Sequence, residues 1–224
     1  MSLVRGSQHP ECYSQSLLSQ RDQVLTWLAE KVPPSRIQHI LRVEQMAIDL
    51  ARHYHLDQEK AAQAGLLHDL AKNFKPSQLL AIAKAHTLEL TPVDEANPHL
   101  LHADVGAVIA QDQFGVQDKA VLEAIRNHTL GRAGMDLLSC VVFLADSLEP
   151  GRGNSPELEA IRQACWVNLY QAVWLTCDYT LNQLMATRSL IHPRMVLTRN
   201  WVLQQSKINP SALDVAQEAA LSQV

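Results

Sequence analysis

The sequence predicts an all-α protein, a helical bundle in one compact domain with a C-terminal helical extension. Three observations carry this expectation. Apolar residues recur at helical spacing in segment after segment, and no segment of useful length alternates with the two-residue period of a strand. Only 8 of 224 residues are glycine and aromatics make up 5%, both low for a fold built from many tight β-turns. Hydrophobic residues reach 47%, enough to bury one sizeable core.

Residues 1–10 read as a loose leader, and Leu17, Leu18, Val24, Leu25, Leu28 and Ala29 give a first amphipathic helix over 11–31. Pro33-Pro34 ends it, and Ser35 is the expected N-cap of a second helix reaching Tyr54, striped by Ile37, Ile40, Leu41, Val43, Met46, Ala47 and Leu50. Asp57 opens a third helix, which closes at His68-Asp69, and Lys60 stands where a capping box would need Glu. A short helix runs over 76–85, then a loop over 86–98, then helices over 100–114, 117–128 and 135–148. Pro150-Gly151-Arg152-Gly153 is a hard break. Ser155-Pro156 then starts a long helix to about Ala186, followed by a helix over 194–206 and a tail helix opened by Pro210. The expected organisation is a leader and N-terminal helix over 1–34, the main domain over 35–206, and a tail over 207–224.

A net charge of −4 argues against a nucleic-acid partner or an anionic membrane surface, while leaving room for a small basic site. No apolar stretch is long enough to span a bilayer, and the N-terminus lacks an apolar signal region. The four cysteines, at 12, 140, 165 and 177, have neither metal-clamp nor redox spacing and read as small buried residues in a reducing compartment. A cytoplasmic protein is expected, and a homodimer is a candidate assembly.

The ten histidines are the unusual count. His39 lies on the second helix, His68-Asp69 ends the third, His102 sits in LLHADVGA, His128 ends AIRNHTLG, and Asp146 follows VVFLA. Singly, each could be a cap or a solvated group. His68-Asp69 and Asp146, however, follow strongly apolar strings, where a charge is costly unless it is paired or metal-bound. Imidazole and carboxylate donors from facing helices suit iron, manganese, cobalt, nickel or zinc, and the absence of cysteine argues against structural zinc. His53, His55, His86 and His99 read as surface residues, His9 belongs to the leader, and Trp166, Tyr170, Trp174 and Tyr179 read as core or interface.

The ordered set His39, His68-Asp69, Asp146 resembles the ligand pattern of the HD-domain metal-dependent phosphohydrolases. His102 and His128 match the subset that holds two metals. AGLLHDLAK, LLHADVGA, HTLGRAGM, FLADSLEPGR and IHPRMVLTRN are similar to the HD-domain symmetrical diadenosine tetraphosphate hydrolases, with Met195 where a Thr-like residue is expected. The resemblance covers about 36–205.

It implies two divalent ions, iron by family, with manganese or another transition metal open. His39, His68, Asp69 and Asp146 would hold one ion, His102 and His128 the other, and Asp69 would bridge. It further implies symmetrical hydrolysis of diadenosine tetraphosphate to two ADP by a hydroxide bridging the metals, with Asp69, Lys72 and Arg152 as the catalytic set. His39, Asp69, Lys72, His102, His128, Thr129, Arg152, Ser189, His192 and Arg194 would face the substrate.

Several of these positions have plainer readings. Lys72 could be a solvated helix-end lysine, Arg152 a surface-loop arginine, and Arg194 an ordinary first-turn residue. Arg42 could enter the cleft or pair at the surface. Other functions remain open at this point: another HD-type nucleotide phosphohydrolase, a metal-dependent nucleotide-binding sensor without turnover, or a scaffold with structural histidines. A cyclic-dinucleotide phosphodiesterase is disfavoured because no Gly-Tyr-Pro follows the His-Asp pair.

Overall fold

Helix starts in this protein are written largely by proline and by short polar caps. The computed structural model describes residues 13–208, and among them are eleven α-helices and no strand. They are α1 (Gln15–Lys31), α2 (Pro34–His53), α3 (Gln58–Leu67), α4 (Pro76–Ala85), α5 (Pro92–Ala96), α6 (His102–Phe114), α7 (Lys119–Asn127), α8 (Leu137–Leu148), α9 (Pro156–Ala164), α10 (Leu169–Ala186) and α11 (Pro193–Ile208). Short 3₁₀ turns occupy Pro98–Leu101 and Pro150–Arg152. The leader over 1–10 and the tail helix opened by Pro210 lie outside the described residues.

Local signals set most boundaries. Asp57, Asp118 and Asp136 accept backbone N–H groups at the starts of α3, α7 and α8. Three expectations need correction. Ser35 is not the cap of α2: Pro33 takes that position with Pro34 at N1, where its missing N–H costs nothing. The segment over 86–98 is not all loop, because Thr91 and Asp94 form a reciprocal capping box that starts α5. The long helix expected over 155–186 is two helices. It breaks at 165–168, where the Asn168 side chain accepts the Gln171 N–H and starts α10 afresh.

Helix α8 runs through the centre. Leu138 to Ala145 is buried without interruption, so this helix is apolar on every face and is surrounded. Helices α2, α3, α7, α9 and α10 pack against it, and α10 in turn carries α11. One continuous apolar cluster reaches from Val24 in α1 to Val202 in α11 and includes Met195. Cys140, Cys165 and Cys177 are buried in it.

Helix α1 is held to α2 by a buried ion pair in which Arg21 Nε and Nη2 each donate to Glu44 at 2.9 Å. This fork geometry satisfies both carboxylate oxygens, as a buried pair requires.

Helix α11 braces the turn after α7. Thr198 donates to the Leu130 carbonyl at 2.9 Å. Gly131 has a φ of +62°, and a Cβ there would collide with the Thr198 side chain. Backbone conformation and close approach thus both require glycine at the turn that carries His128. Gly131→Val is expected to destabilise the fold by about 2–3 kcal/mol, read from the urea midpoint at unchanged slope. An unchanged midpoint would show that α11 does not lean on this turn.

Candidate metal centre

Three histidines reach the centre by the same local device. His68, His102 and His128 each stand at the junction ending or beginning a helical segment. Each donates Nδ1–H to the carbonyl three residues upstream: His68 to Gly65 at 2.7 Å, His102 to His99 at 2.6 Å, and His128 to Ile125 at 2.7 Å. The donation leaves the Nε2 lone pair facing inward. His39 lies mid-helix on α2, where upstream carbonyls are taken by the helix. Its Nδ1–H goes instead to Glu149 Oε1 at 3.0 Å. Burial works against the charge of Glu149, but hydrogen bonds from Arg42, His39 and the Gly151 amide bring its pKa down to about 2. It is therefore an ionised acceptor at any working pH, and His39 is held in the same tautomer as the other three.

The Nε2 atoms converge on two carboxylates. Asp146 Oδ1 lies 3.1 Å from His39 Nε2 and 3.7 Å from His68 Nε2. Asp69 is divided between two groups. Its Oδ2 is 3.5 Å from His68 and 3.7 Å from His39, while its Oδ1 is 3.5 Å from His102 and 3.8 Å from His128. His102 and His128 face each other with Nε2 atoms 3.0 Å apart. Donors that sit about 2.1 Å from one cation stand roughly 3.0–3.4 Å apart at octahedral or tetrahedral angles. The observed separations are close to that range. Among the described residues, two donor groups gather tightly enough to share an ion, His39/His68/Asp146 and His68/Asp69/His128, with His68 in both. The donor set is nitrogen and oxygen only, which fits a divalent transition metal.

The electrostatics agree with a cluster that needs cations. His39, His68, Asp69, His102 and His128 are all buried. Burial pushes the His102 pKa down to about 4, with Lys72 adding to the effect. Burial likewise holds His128 well below its ordinary value, with His68 and His102 adding. These two rings are therefore neutral and free to donate lone pairs. Burial raises the pKa of Asp69, but His68, Lys72 and His128 outweigh it and keep the carboxyl well below the usual range.

Basic groups border the cluster. Lys72 Nζ donates to His102 Nε2 at 3.1 Å, and Thr129 Oγ1 lies 3.2 Å from the same atom. Arg152 bonds Asp146 through both its carboxylate and, at 2.7 Å, its carbonyl, and its Nη2 is 3.4 Å from His39 Nε2. The pattern of residue types missed two partners. Arg36, one turn before His39 on α2, donates to Asp69 Oδ2 at 3.0 Å. Glu149, one turn after Asp146, orients His39. Spacings of i+3 from a candidate donor were the available signals.

The remaining expected site residues lie apart from these donors. Ser189 is exposed and bonds Thr187 at 2.9 Å. His192 is buried, 3.2 Å from both Asp94 Oδ2 and Thr91 Oγ1. Arg194 donates to the Gly131 and Arg126 carbonyls at 2.6 Å and to Asn127 Oδ1 at 3.2 Å, so it grips the turn that carries His128. Met195 faces the core. Arg42 is tied to Glu149. His53, assigned to the surface from sequence, is exposed and bonds the Trp166 carbonyl at 2.8 Å.

Glu149→Gln leaves a neutral, weaker acceptor for His39. It is expected to retain helical content while weakening divalent-metal affinity about 10–100-fold, read by metal titration. Unaltered affinity would show that His39 is oriented by something else.

Comparison with known proteins shows the family. The HD domain family model matches residues 36–151. A Bacillus subtilis protein named bis(5'-nucleosyl)-tetraphosphatase, symmetrical, is 36% identical over 83% of this chain and 99% of its own length. One of the same name from Halalkalibacterium halodurans is 34% identical over 84% and 99%. A crystal structure of a Clostridium acetobutylicum HD superfamily hydrolase, described as involved in NAD metabolism, superposes with a TM-score of 0.79 at 32% identity, covering 82% of this chain and 97% of that one. The chain belongs to the HD domain hydrolase family and, within it, to the group of the symmetrical bis(5'-nucleosyl)-tetraphosphatases.

Proposed function

We propose that the protein hydrolyses diadenosine tetraphosphate symmetrically, releasing two ADP, and that it does so in the cytoplasm. The observation that carries this reading is the divided carboxylate of Asp69, with one oxygen toward His39 and His68 and the other toward His102 and His128. A carboxylate so placed suits a pair of divalent ions, with His39, His68 and Asp146 around one and His102 and His128 around the other. Iron is the family's expectation, and the donor chemistry also admits manganese. Bound there, such a pair supplies an acidified water and a Lewis acid for the phosphoryl oxygens.

The chain's own residues then have definite tasks. Arg36, Lys72 and Arg152 border the donors, reaching Asp69, His102 and His39 respectively. Together they neutralise a polyphosphate chain and the charge that builds up on the departing diphosphate. The two guanidiniums can take phosphate oxygens in pairs, whereas Lys72 acts as a point charge. Thr129 Oγ1 offers a hydroxyl beside Lys72, suited to a phosphate oxygen. Arg194 positions His128 by gripping the turn on either side of it. Ser189 and His192 belong to the same segment, and we assign them to the nucleotide side of the cleft on family resemblance. No side-chain nucleophile is required.

Two tests follow. Asp69→Ala is expected to lose turnover to background and to bind less metal while keeping its helical circular dichroism. Wild-type protein given the tetraphosphate should yield ADP alone, read by ion-exchange chromatography. AMP with ATP would mean cleavage at the wrong bond and would overturn the assignment. Separately, Lys72→Met and Arg152→Met should each lower kcat/KM about 100-fold at unchanged metal content. Wild-type kcat/KM in either variant would remove that cation from the site.

A further inference from the structure

His102 and His128 stand with their Nε2 atoms 3.0 Å apart. Both rings give Nδ1–H to a carbonyl, so two lone pairs face each other and repel. Their spacing must therefore be imposed by the chain around them. The rings come from different elements: His102 opens α6, and His128 follows α7.

Arg194, in the first turn of α11, bridges the two. Its Nη1 donates to Asp104 Oδ2 at 3.2 Å, two residues beyond His102. Its Nη2 donates to the Arg126 carbonyl at 2.6 Å and to Asn127 Oδ1 at 3.2 Å, just before His128. Its Nε donates to the Gly131 carbonyl at 2.6 Å, just after it. A planar guanidinium with fixed donor directions holds these acceptors in one arrangement, which an ammonium on a flexible stem would not. Asn127 is buried and passes the hold on to α8 through Ser139 Oγ at 3.1 Å.

Arg194 is itself anchored. Its backbone N–H donates to His192 Nδ1 at 3.0 Å, so His192 carries its proton on Nε2. That Nε2–H donates to Asp94 Oδ2 at 3.2 Å, within the capping box that starts α5. Thr91 gives the same oxygen its N–H at 2.9 Å and its hydroxyl at 2.7 Å. His192 and Asp94 are both buried, so water does not compete for this tie.

The other pair of rings is set differently. His39 and His68 belong to α2 and the end of α3, whose backbones meet directly at Gly65. A Cβ on Gly65 would stand 3.0 Å from Glu44 Cα. Direct helix contact thus fixes that half of the centre, whereas a chain of side chains spans the His102 and His128 half.

We propose that Asp94, His192, Arg194 and Asp104 are positioning residues that together set the spacing of His102 and His128, and so govern the affinity of one ion of the pair without governing the other. The inference rests on the two-ion reading above and adds to it that the halves are held independently.

The test reads each ring separately. Zinc, which suits imidazole donors, is titrated into the protein while the imidazole nitrogen signals are followed by NMR. In the wild type, the Nε2 signals of His39, His68, His102 and His128 should all shift on ligation. Arg194→Gln removes the clasp. His192→Asn keeps a good N-cap for α11 but is too short to reach Asp94, which separates anchoring from helix capping. In both variants His39 and His68 are expected to shift at wild-type zinc concentrations, and His102 and His128 only at concentrations about tenfold or more higher. Circular dichroism checks folding, and His192→Asn carries the test if Arg194→Gln does not fold. Wild-type ligation of His102 and His128 in a folded variant would overturn the proposal. An equal loss at all four rings would also overturn it, because the effect would then be general loosening, and the two-ion reading would stand. Wild-type protein in which zinc shifts only one pair of rings, or none, would defeat the two-ion reading and this inference with it.

Discussion

The structure is organised around disposing of four imidazole protons. A neutral histidine can donate a lone pair inward only if its other nitrogen gives its proton to a fixed acceptor, and in a buried site that acceptor must come from the protein. Three of the four rings use the carbonyl three residues back, available because each stands where a helix begins or ends. The fourth stands in mid-helix and needs a carboxylate from a distant element. The helix ends at 68, 102 and 128 are thus part of the site's chemistry, and the apolar α8 earns its central position by delivering Asp146 to the same point.

The second constraint is charge. Carboxylates gathered in an apolar core need positive charge close by. Arginines supply some of this: Arg36 pairs with Asp69, Arg152 with Asp146, and Arg42 with Glu149. The same side chains are partly exposed, and so can meet anions from solvent. A donor cluster suited to metal and a border suited to phosphate arise from one arrangement of opposite charges.

The helices after 155 serve this centre at one remove. Arg194 and Thr198 of α11 hold the turn between His128 and Leu137, and Arg162 of α9 donates to the Leu148 and Gly153 carbonyls on either side of the Pro150–Arg152 turn. The extension therefore shares the core and also supports the site.

Helical class, most helix positions and the six residues proposed as metal donors could be read in the chain itself. Periodicity, caps and prolines act over three or four residues, and a His-Asp pair or a lone Asp after an apolar run stands out against its immediate neighbours. The short α5 and the break at 165–168 were missed, because one is a five-residue capping motif and the other is set by how α10 must turn to lie on α8 and α11. The partners of the donors depended on tertiary structure. Glu149 meets His39 across 110 residues and Arg36 meets Asp69 across 33, and nothing local to either residue states which helix faces will be turned together. Donors are marked by residue type in a hydrophobic context, whereas the groups that orient and neutralise them are ordinary surface-type residues until packing brings them to the centre.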